Sequence, residues 1–188
     1  MKKIAFLILA CLMSLNIQAQ VEHIKFMGIP VDGTLKTFEK QLKKKGFIPD
    51  FRFKDLPEEL FPDSRIYKGS FADDNNVGLV VKCDKNTKIV YSANVLIECT
   101  TEREMVSKYE SYLPMYQEKY ADSEFKEFQN ERKNGVTIPV FNSNHDGVIG
   151  MIILAKDIDP DTHAYKVTIE YFDGFNLNRV NANSLNDL

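Results

Sequence analysis

Asp157-Ile158-Asp159-Pro160-Asp161 is the stretch that comes nearest to a chemical site. Three carboxylates at every second position open a calcium loop. Such a loop also needs glycine at its sixth position and a bidentate glutamate at its twelfth, and here those places hold Thr162 and Thr168. The stretch therefore reads as a polar turn initiated by Asp-Pro. His23, His145 and His163 show no ligand spacing and are expected on the surface or in turns. No nucleophile elbow, phosphate-binding glycine loop, zinc-protease helix or C-x-x-C pair occurs. Glu58 and Glu59 sit on a proline-rich loop with no visible apolar burial to raise a carboxyl pKa, as general acid–base work requires. No catalytic residue, metal ligand or cofactor is assigned, and the chain is not expected to be an enzyme.

The N-terminus speaks to location. Lys2 and Lys3 precede an apolar run over residues 4–15, and a short polar stretch ends at Ala19. That order is the order of a secretory signal peptide, here residues 1–19. The run falls short of the roughly 20 apolar residues a spanning helix needs, so no transmembrane segment is expected after cleavage. An alternative makes Cys11, after Ile8-Leu9-Ala10, a lipid-attachment site. Either way the protein is exported, to the periplasm or beyond.

Charge excludes one partner class. The chain carries 24 Lys and Arg against 27 Asp and Glu, a net −3, and loss of two leader lysines takes it to −5. Phosphate recognition needs clustered basic residues. The single run Lys43-Lys44-Lys45 closes a predicted helix, where it complements the negative end of the dipole. Nucleic acid is excluded as a partner.

The elements follow from periodicity. Residues 22–29 read as a first strand, ended by the breakers of residues 28–33. Leu35, Phe38 and Leu42 make one helical stripe over residues 34–45, capped by Asp32 or Thr34 and closed by Gly46. Residues 48–64 hold three prolines and form a long connection. Its Phe51, Phe53 and Phe61 either tuck under the loop or contact a partner. Residues 66–99 form a three-stranded meander with polar turns at residues 73–76 and 84–87. Thr101 and Glu104 are spaced as a capping box opening a second helix, with Met105, Tyr109, Tyr112, Leu113, Tyr116 and Tyr120 on one face. Pro114 inside it predicts a kink or break at residues 110–113. Residues 123–134 suggest a short helix with Phe125 and Phe128. Three further strands follow at residues 136–141, 148–155 and 164–172, and the asparagine-rich residues 176–188 read as a fraying tail.

Two cysteines in an exported chain invite a disulfide. The meander's alternation argues otherwise. It pairs Cys83 with Ile89 and Val81 with Tyr91, leaving Cys99 about 33 Å along the strand, far beyond the ~7 Å a bridge allows between Cα atoms. Two buried free thiols are expected.

Residues 34–99 and 101–172 each run helix, irregular stretch, meander. The fold class is α+β: two helix-plus-antiparallel-meander units packed together, with six to seven strands and helices on one face. The domain spans residues 20–175, with sub-units of about 20–99 and 100–175. This order resembles the β-lactamase-inhibitor-like and PepSY-like folds. The phrases F-M-G-I-P-V-D-G-T (26–34) and F-E-K-Q-L-K-K-K-G-F (38–47) resemble uncharacterised exported proteins of Bacteroides-type bacteria. Neither resemblance implies a known site. The functional expectation is a non-enzymatic binding or envelope-associated protein, inhibition included, with an unknown protein as partner. The alternative is a carrier of a small hydrophobic ligand or lipid, held between helix and sheet. A cavity of about 300 Å³ or more there would favour the carrier.

Overall fold

A computed structural model describes residues 21–51, 63–159 and 162–186. The predicted leader, Cys11, Phe53 and Phe61 lie outside the described residues. Eight antiparallel strands form one sheet in the order β3-β4-β5-β6-β10-β9-β8-β7. They are β3 (Ile48–Pro49), β4 (Ser64–Phe71), β5 (Asp74–Cys83), β6 (Val90–Cys99), β7 (Lys126–Gln129), β8 (Lys133–Phe141), β9 (Val148–Ile158) and β10 (Tyr165–Asp173). A separate hairpin pairs β1 (Lys25–Phe26) with β2 (Ile29–Pro30). The helices are α1 (Leu35–Lys44), α2 (Glu102–Lys119) and α3 (Gly174–Asn186). The α+β class stands, with eight strands in the main sheet instead of six or seven.

The two added strands come from stretches read as irregular or helical. Ile48 and Pro49 pair with Lys68 and Tyr67 at one edge. At the other edge, residues 126–129 are strand β7, not a helix. The Asn130 side chain accepts from the backbone of Arg132 and Lys133, at 3.1 and 2.8 Å, and that turn folds Lys126–Gln129 back onto β8. The expected tail is also corrected. Residues 174–186 are helical, and buried Asn176 donates to the carbonyls of Val31 and Val90.

Register puts one face of the sheet in the core. Tyr67, Leu79, Val95, Ile169, Leu154 and Val136 lie in one row across six strands, each no more than 5% exposed. Three elements cover that row's face. The α1 residues Leu35, Phe38 and Leu42 are buried, and Phe47 behind the helix sits against Gly69 of β4. The hairpin wedges Phe26 among Phe47, Phe71 and Tyr171 at ring separations of 5.4–5.9 Å. Helix α2 lays Met105, Tyr109, Tyr112 and Tyr116 onto β6, β10 and β9.

Both helix starts follow the expected chemistry. The Thr34 hydroxyl accepts from Thr37 N–H, and Thr101 Oγ1 accepts from Glu104 N–H at 3.1 Å. Glu104 turns to the backbone and hydroxyl of Thr100, which holds its carboxyl below the ordinary value. Of the kink or break expected at residues 110–113, the break does not occur, since α2 runs unbroken from Glu102 to Lys119.

The meander is present with a different register. Val81 pairs with Ala93 and Cys83 with Val90, across an irregularity between Lys82 and Cys83. The polar turn is longer than an even alternation allows, and a bulge at Tyr91 absorbs the extra residue. Cys83 and Cys99 remain free and buried, and burial pushes both thiols up.

Candidate functional site

The second face of the sheet has different neighbours. Ile66, Val80, Asn94, Glu170, Ile153 and Thr137 form a row across the same six strands. The next row toward one end is Lys82, Ser92, Phe172, Met151 and Pro139. None of these apolar side chains joins the core cluster. They are partly exposed, Met151 to 37%. An antiparallel sheet with one solvated face alternates apolar-in, polar-out. Here Ile66, Val80, Leu96, Ile153, Phe172 and Met151 break that rule on the outward side. Six strands at about 4.8 Å spacing make the face about 24 Å wide.

Polar groups punctuate it. Ser92 Oγ, Asn94 Oδ1 and Thr168 Oγ1 are buried without a hydrogen-bond partner among the described residues. All three flank the β6–β10 seam, where Phe172 faces Ser92, Glu170 faces Asn94 and Thr168 faces Leu96. A lost hydrogen bond of this kind costs about 1–3 kcal/mol. Lys133 pairs with Glu170 across the intervening strand, where the facing residues Gly135 and Ala155 leave room.

The aromatic loop joins this face at one edge. Ile48 of β3, facing Lys68, is 55% exposed, and Phe51 just beyond is 63% exposed. Asp50 between them is buried and lies 3.9 Å from Lys68 Nζ. Phe51 is thus on the surface, as a partner contact requires.

Two hollows lie beside α2 on the packed face. One, of about 520 Å³, is open between α2 and the outer strands, and Glu127, Gln129, Asn134 and Lys156 make its rim polar. Lys156 Nζ rests 4.9 Å above the Tyr109 ring. The other is about 230 Å³ and mostly aromatic, set between α2 and the central strands. The tyrosine stripe is core, since Tyr109, Tyr112 and Tyr116 are 4–9% exposed. Tyr109 lines the first hollow, and Tyr112 and Tyr116 line the second.

One cluster escaped sequence reasoning. His23 is no surface histidine. Its Nδ1 lies 2.9 Å from Asp173 Oδ2 and its Nε2 3.5 Å from Asp32. Asp173 is fully buried and also accepts from the backbone of Ile24 and Asn176. Burial raises its carboxyl above the ordinary value against the pull of these donors. The arrangement ties the start of the domain to α3. It reads as a clasp. Among the described residues no group of three or more His, Cys, Asp or Glu could hold a metal, and no helix is long and apolar enough to cross a membrane. Comparison of the chain with family models, curated proteins and solved structures finds no match.

Proposed function

We propose that this chain is an exported, non-enzymatic protein-binding module that seats its partner on the outward face of the eight-stranded sheet. The observation that carries the reading is the row of partly exposed apolar side chains on that face. Contiguous apolar surface of this kind marks interaction sites on soluble proteins. Exposed Ile48 and Phe51 extend the surface past one edge. We read the two runs of four neighbouring strands, β3–β6 and β7–β10, as two units meeting at the β6–β10 seam. We carry the resemblance to the β-lactamase-inhibitor-like folds forward as a reason to include an inhibitory form of binding. The carrier reading ranks second. The hollow between α2 and the outer strands, about 520 Å³, exceeds the ~300 Å³ of ordinary ligand pockets, but Glu127, Gln129, Asn134 and Lys156 make its rim polar, which suits a hydrophobic ligand poorly; the mostly aromatic hollow is smaller, about 230 Å³.

Affinity capture from an envelope fraction tests this with three baits. Wild type and Met115→Ser, altered on the helix side, retain the same partner. Leu96→Lys/Ile153→Lys loses it while keeping its circular dichroism. Equal capture by all three baits overturns the proposal, and adding Phe51→Ser separates the loop's share from the face's.

A further inference from the structure

The smaller hollow beside α2 is walled by Met27, Phe71, Tyr112, Tyr116, Tyr171 and Met115, with exposed Lys119 at its rim. Two of these walls carry unspent chemistry. The hydroxyls of Tyr116 and Tyr171 share a single hydrogen bond. Two hydroxyls hold two protons and one bond uses one of them. The second O–H has no acceptor among the described residues, although Tyr116 is 6% and Tyr171 4% exposed. Burial pushes both phenols above their ordinary value, so they remain donors at neutral pH. Tyr112 is committed elsewhere, donating to Asp74 at 2.7 Å. Buried polar groups in folded proteins find partners, and both tyrosines line the hollow.

Backbone geometry frames the same hollow. Met27 and Ala72 line it at φ 49, in the left-handed region that residues other than glycine rarely occupy. Both sit in two-residue turns, of the β1–β2 and β4–β5 hairpins, whose geometry calls for such angles. The volume limits the occupant. A cavity of about 150 Å³ holds benzene, and drug-sized ligands need about 300 Å³ or more. The space of about 230 Å³ therefore suits one ring with a short substituent. Lys119 has no carboxylate partner among the described residues and lies 5.2 Å from the Tyr120 ring centroid. A carboxylate supplies both an acceptor for the buried hydroxyl and a counter-charge for this ammonium.

We propose that this hollow binds a single-ring aromatic carboxylate, of the size of phenylacetate, with its ring among the aromatic walls and its carboxylate on the Tyr116–Tyr171 pair beside Lys119. The site stands apart from the protein-binding face, so either can fail alone. Titration calorimetry with phenylacetate, benzyl alcohol and palmitate tests it. Phenylacetate binds wild type saturably. Tyr116→Phe/Tyr171→Phe weakens it by about tenfold, the loss of one charge-assisted hydrogen bond. Lys119→Gln weakens phenylacetate but leaves benzyl alcohol unchanged. Met115→Trp, at a position 52% exposed, blocks both by filling the mouth. Absence of saturable phenylacetate binding up to about 10 mM, equal binding by the double variant, or tighter binding of palmitate than of phenylacetate each overturns the proposal.

Discussion

Asp84 holds the β5–β6 turn with one carboxylate. Its Oδ1 accepts from the backbone of Thr87 at 2.5 Å and of Asn86 at 3.0 Å, and from the Thr87 hydroxyl at 2.9 Å. The Thr87 N–H is the largest influence and keeps the carboxyl below its ordinary value. A depressed carboxyl pKa makes a stabilising contribution that is complete above the unfolded value of about 3.9. The contribution fades as pH falls through the folded value. Asp84→Ala is expected to cost about 1–2 kcal/mol at pH 7. Urea titrations should show the gap between wild type and variant narrowing once the pH drops below about 4. A gap independent of pH would mean that the charged form does not close the turn. This residue was legible as turn chemistry because its partners lie within three positions. The clasp of His23 and Asp173 was not. Its members are 150 positions apart, and local spacing says nothing about a pair that only the closed sheet brings together.

Helix α1 was readable to within a residue. Thr34, the Leu35–Phe38–Leu42 stripe, Gly46 and Phe47 all act within one stretch of chain. Helix α2 shows where local rules lose. Pro114 cannot donate to the Glu110 carbonyl and should break the helix, but Tyr109, Tyr112 and Tyr116 pin both sides of it to the sheet. Two of those rings also hydrogen-bond, to Asp74 and to Tyr171. Packing outweighs a local penalty of about 3 kcal/mol. Because Pro114 is itself exposed, the penalty is still present in the folded state. Pro114→Ala is expected to stabilise the protein by about 1–3 kcal/mol, read as a raised midpoint in chemical denaturation. Strand β7 and helix α3 were missed for a related reason. Lys126–Gln129 becomes a strand only because β8 offers an edge, and the asparagine-rich α3 is anchored through Asn176 to carbonyls of distant elements.

At the scale of the molecule, period-two alternation announced strands but not which face would be covered. Residues 148–158 are apolar on both sides over much of their length, and the pattern alone reads as a strand buried twice. The covering of one face depends on where α1, α2 and the hairpin land, which is set by connections between elements. Candidate contact Phe51 was legible as an aromatic on a proline-rich loop. The outward face was not, because its row of residues is assembled from six strands. Neighbours on β9 separate the two faces. Ile152 is fully buried against α2's side of the sheet, while Ile153 lies on the outward row between Glu170 and Thr137. Ile152→Lys should unfold the domain or cost more than about 4 kcal/mol, since it places an unpaired charge in the core. Ile153→Lys should cost about 1 kcal/mol or less, its ammonium reaching water and the Glu170 carboxylate. Thermal melts of the two single variants check this directly. Equal destabilisation would mean that the outward face is covered in the folded protein, and the partner surface would then have to be sought elsewhere.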